Sequence, residues 1–121
     1  MQEEERREYE RELRTLSWGP PGRVGLLATL VLPRYTLRSL ARRIERTADA
    51  LGAIDPPAEC VDAHEELRTG FVQLALEMSA LARDRSLTSW RRWQILGASP
   101  VVRRLNAAGD ALRAKGIGVE R

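Results

Sequence analysis

The chain has 121 residues, 43% hydrophobic and 31% charged, with 20 Lys and Arg against 17 Asp and Glu for a formal charge of +3. This composition excludes a disordered tail, a collagen, a disulfide scaffold and a membrane span, and the length suits one domain with one core, about two-thirds of the extended chain's surface being hidden on folding. Cys60 is the single cysteine, so no internal disulfide can form, and +3 is too small a charge to assign an anionic partner by itself.

Residues 1–121 read as a single helical domain of four segments with helical periodicity and no competing strand pattern. The first, Gln2 to Leu16, places Tyr9, Leu13 and Leu16 on one side of a helix otherwise made of acids and arginines. It ends at Ser17-Trp18-Gly19-Pro20-Pro21-Gly22, which no helix can cross. Residues 17–22 therefore read as a hinge, and 1–16 as a detachable N-terminal helix. The second segment, Arg23 to Leu51, carries Leu26, Leu30, Pro33, Leu37, Leu40, Ile44, Thr47 and Leu51 in one register. Because the stripe continues past the proline, one helix bent near Pro33 is expected. Gly52 is a C-terminal cap, and Asp55-Pro56-Pro57 makes a short, stiff turn.

The third segment, Pro57 to Ala82, has the clearest rhythm: Cys60, His64, Leu67, Phe71, Leu74, Met78 and Leu81 alternate steps of four and three. Such a seam predicts one long helix packed antiparallel to its neighbours. The fourth, Thr88 to Lys115, contains Trp90, Trp93, Leu96, Val101, Leu105, Ala108 and Leu112, and is split near Gly97 to Pro100, where Ser99 caps and Pro100 opens a new helix that stops before Gly116. The expected fold is all-α, an up-and-down bundle of four main helices. Its predicted core is Leu30, Leu37, Leu40, Ile44, Leu51, Leu67, Phe71, Leu74, Met78, Leu81, Trp93, Leu96, Leu105 and Leu112.

Little in the sequence suggests catalysis. His64 is the only histidine, and Cys60 lies one turn before it on the same face, yet a zinc site needs four ligands, or three and a water. The preferred role for His64 is packing, with a hydrogen bond to a backbone carbonyl near the Pro56-Pro57 turn. A di-iron bundle centre would need Glu-x-x-His on two helices. Cys60 has acidic neighbours and a seam position, which favour an inert thiol over a nucleophile. No nucleophile elbow, P-loop or dinucleotide fingerprint is present. No catalytic, cofactor or metal residue is predicted.

The arginines are more informative. Arg34, Arg38, Arg42 and Arg46 recur every four residues along one side of the second helix, where like charges repel. Three sources of compensation compete: Glu59, Asp62 and Glu66 across the hairpin turn, the acidic first helix, or phosphates of a nucleic acid or membrane surface. A second cluster, Arg83, Arg85, Arg91 and Arg92 with Trp90 and Trp93, then Arg103 and Arg104, combines cations and aromatic surface as single-strand binders do.

Asp55-Pro56-Pro57-Ala58 followed by His64, together with Ser99-Pro100-Val101-Val102-Arg103-Arg104-Leu105 closing on Lys115-Gly116, resembles a set of small bacterial helical-bundle proteins, many of them exported or lipid-anchored. The resemblance covers about Thr36 to Gly116 and implies a fold and no activity. The charged start carries neither the signal sequence nor the lipid-attachment cysteine of that set. A chain starting natively at Met1 is therefore expected in the cytoplasm, and one trimmed there in the envelope.

The reading is a non-enzymatic interaction or oligomerisation module, partnered by itself or another protein through Tyr9, Leu13, Leu16, Leu26 and Leu30. The alternative is nucleic-acid or anionic-surface binding through Arg34, Arg38, Arg42, Arg46, Arg91, Arg92, Arg103, Arg104 and Trp90. A third class, a metal protein centred on Cys60 and His64, predicts co-purifying metal.

Overall fold

Acids open the first helix and arginines close it: Glu3, Glu4 and Glu5 sit in the first turn of α1 (Glu3–Arg14), with Arg11 and Arg14 in the last. This order suits the helix dipole. The computed structural model describes residues 2–16 and 34–117 and is all-α, with no strand among the described residues. After α1 come α2 (Arg34–Gly52), a 3-10 turn (Ala58–Cys60), α3 (Val61–Arg83), α4 (Ser89–Gly97) and α5 (Pro100–Ala114). The 17–22 hinge and the bend at Pro33 lie outside the described residues, as do Leu26 and Leu30. The expected split of the fourth segment is observed. Thr88 Oγ1 accepts from Arg91 N at the start of α4, and Ser99 Oγ accepts from Val101 N at the start of α5, with Pro100 in its first turn.

Helix α3 is the central rod, packed along both α2 and α5. It runs antiparallel to α2, since Leu51 packs with Leu67 at one end while Leu37 and Leu40 pack with Met78 and Leu81 at the other. It is antiparallel to α5 too: Ser99 Oγ donates to Glu77 Oε2 at 2.9 Å near the start of α5, and Ala108 joins Ala63 further along. Gly70 makes the close crossing, because a Cβ there would stand 2.5 Å from Leu105 Cδ2.

The interior divides into two clusters. The first gathers Tyr9, Leu13, Leu51, Cys60, Ala63, Leu67, Ala108, Leu112 and Ile117, with Phe71 and Leu105 packed against it. The second gathers Leu37, Leu40, Ala41, Met78, Leu81, Ala82 and Leu96, with Ile44 and Leu74 alongside. Leu30 and the Trp93 side chain lie outside the described set.

In the structure the N-terminal helix is seated against the first cluster. Tyr9 and Leu13 are 2% and 1% exposed, so α1 spends its apolar residues inside this chain, with Leu16 half-buried beside them. As the chain is folded here, Tyr9 and Leu13 belong to the core. The end of α5 is built to meet them: Gly116 has φ +83, its N–H donates to Arg113 O, and Ile117 N–H donates back to Leu112 O. That Schellman cap turns Ile117 inward onto Leu112, both fully buried.

Candidate interaction surface

The polar groups that could have carried chemistry are held inside. His64 Nε2 lies 2.8 Å from the carbonyl oxygen of Leu51 and Nδ1 lies 2.7 Å from Tyr9 Oη. A carbonyl only accepts, so Nε2 carries the proton, Nδ1 is the acceptor, and the Tyr9 hydroxyl donates to it. Both ring nitrogens are thus engaged inside the protein. The predicted carbonyl bond is present, but its acceptor belongs to the last turn of α2 instead of the proline turn. Burial pushes the Tyr9 phenol far above its ordinary value, and the nearby Cys60 adds to the shift. Burial also raises the Cys60 thiol, a direction opposite to that of a reactive cysteine. Among the described residues no group of three His, Cys, Asp or Glu side chains converges to hold a metal.

One arginine of the basic cluster, Arg92, is buried, which corrects its reading as an anion contact. Arg92 is 6% exposed, and its Nε donates to Leu81 O at 3.1 Å and Nη2 to Asp84 O at 3.2 Å. It caps the end of α3, where a cation suits the helix dipole. Arg104 is exposed and makes a surface link between α5 and α3, donating to Glu66 Oε2 at 3.1 Å and Gln73 Oε1 at 3.1 Å. Arg91 and Arg103 are exposed; their guanidinium groups reach Gln94 Oε1 and Ala98 O respectively. Trp90 is 53% exposed.

The ladder is a surface feature. Arg38, Arg42 and Arg46 are exposed, and among the described residues none forms an ion pair, while Glu66 is taken by Arg104. The Arg34 side chain lies outside the described set. Arg43 and Arg46 do border, with Thr15 and Thr47, a shallow hollow of about 360 Å³ between α1 and α2.

Sequence reasoning passed over the apolar surface of α3. Val72 and Leu76 are 38% and 66% exposed, one turn apart on its outer side. The signal was available in their positions off the core seam. Comparison with protein-family models, curated proteins and solved structures finds no match to this chain.

Proposed function

We propose that the protein is a non-enzymatic interaction module, an up-and-down bundle of four main helices whose long third rod presents Val72 and Leu76 to a protein partner. The observation that carries this reading is Leu76, 66% exposed in mid-helix with Val72 beside it. A large apolar side chain left on the surface of a small domain gains most by being covered when it belongs to a contiguous patch. Among the described residues His64 and Cys60 are buried in the core, which fits packing roles for both. A photo-reactive residue in place of Leu76 should form a discrete protein adduct in cells, whereas the same residue in place of exposed Asn106 should not. Equal labelling at both positions, or none, would reject the module.

The exposed Arg38, Arg42 and Arg46 favour a second reading, binding to a polyanionic surface. Phosphate contacts release counterions, so such binding must weaken steeply with salt. Retention on heparin at low salt that survives unchanged in the Arg38→Gln, Arg42→Gln, Arg46→Gln triple variant would remove it.

A further inference from the structure

Opposite its core seam, α3 carries a second one. Glu65, Thr69, Val72, Leu76, Ser79 and Arg83 recur at steps of four and three. At about 100° per residue they form a stripe roughly 80° wide. Glu65, Val72, Leu76 and Arg83 are exposed, and Thr69 and Ser79 half-buried. From the middle outward the stripe is self-complementary: two apolar residues, then two hydroxyls, then an acid at one end and a base at the other.

Building on the interaction-module reading, we propose that the partner is a second copy of this chain, docked through the outer face of α3 with the two α3 helices antiparallel. The twofold axis then passes between Val72 and Leu76. Val72 meets Leu76 of the partner subunit, Thr69 meets Ser79 of the partner subunit, and Glu65 meets Arg83 of the partner subunit, each contact occurring twice as an isologous interface requires. An antiparallel two-helix seam aligns alternate positions in this way, and charge decides against the other direction. Parallel pairing would set Glu65 beside Glu65 of the partner subunit and Arg83 beside Arg83 of the partner subunit. The intrahelical pair of Arg68 with Glu65, at 3.2 Å, is exposed and readily exchanged. With two apolar residues from each copy at its centre, the dimer is a weak one.

Sedimentation equilibrium at rising concentration tests this directly. The wild-type chain is expected to dimerise; a monomer up to the solubility limit overturns the proposal. Leu76→Asp, at a surface position, should keep the helical circular dichroism and raise the dimer dissociation constant by about tenfold or more. An undiminished dimer would place the contact elsewhere. Glu65→Arg and Arg83→Glu should each weaken association, and the double variant should recover it, because the opposite charges are again paired across the axis. Failure of the double variant to recover overturns the antiparallel register. The adduct formed at position 76 separates this proposal from the broader one. Twice the chain mass supports the second copy, an adduct of any other mass overturns it while leaving the module standing, and no adduct rejects both.

Discussion

The two ends of the bundle solve one problem with different chemistry. At each, a helix stops and the next one sends a side chain back to a carbonyl in the outgoing helix's last turn or just beyond it. His64 of α3 donates to Leu51 O of α2, and Arg92 of α4 donates to Leu81 O and Asp84 O at the end of α3. The first is an imidazole buried under the cover of α1, with Tyr9 on its other nitrogen. It is 2% exposed, at the end of the bundle where the Tyr9, Leu13 and Leu51 cluster lies. The second is a cation, placed where the helix dipole welcomes it and beside the Asp84 carboxyl, which Ser86 hydrogen bonds hold below its usual range. Both side chains are buried, His64 at 2% and Arg92 at 6% exposure; the ends differ in that the histidine shares its second nitrogen with a side chain of α1, whereas the arginine gives both its hydrogen bonds to carbonyls at the end of α3.

Leu13→Ala should be the most damaging change to the first end, costing about 2–5 kcal/mol in urea unfolding, because a fully buried leucine leaves a cavity. At the second end, Arg92→Met keeps the apolar stem but strips both carbonyls of their donor. A loss of about 1.5–3 kcal/mol is expected, the worth of hydrogen bonds from a charged group. Salt should affect neither much, since both sites are shielded.

Tyr9→Phe leaves His64 Nδ1 a buried acceptor without a donor, at about 1–3 kcal/mol. Its pH dependence sharpens the contrast between the ends. The folded-state values of Tyr9 and Cys60 are both raised, so the stability they contribute is complete below their ordinary values of 10.0 and 9.0 and declines as pH climbs past them. Each group adds a slope of at most about 1.4 kcal/mol per pH unit. Denaturation titrated upward from pH about 8.5 should show this loss, with a shallower slope in Tyr9→Phe and an unaltered one in Arg92→Met. Gly116→Ala should have the smallest effect, about 1–2 kcal/mol for forcing an alanine into a left-handed conformation.

Periodicity revealed most of the fold. The rhythm of His64 and Leu67 through Leu81 follows the inward side of α3, with Cys60 buried in the turn before it, and Ser99-Pro100 marks the junction between α4 and α5. Long-range pairing was not legible. Tyr9 and His64 are 55 positions apart, and a Gly-Pro stretch after Leu16 suggests freedom when the helix is in fact seated. Arg91 and Arg92 look equivalent as text, yet successive residues on a helix point about 100° apart, so one faces water and the other the end of α3. Ile117 escaped notice because its burial depends on the turn made by Gly116, not on any helical stripe.

Amide hydrogen exchange read residue by residue over α1 tests the central claim most directly, because a 12-residue helix is marginal in water unless docked. If α1 is part of the core, the amides in its middle, around Tyr9 and Leu13, exchange orders of magnitude more slowly than in an unstructured peptide. Exchange there at unstructured rates, while α3 stays protected, would contradict the account.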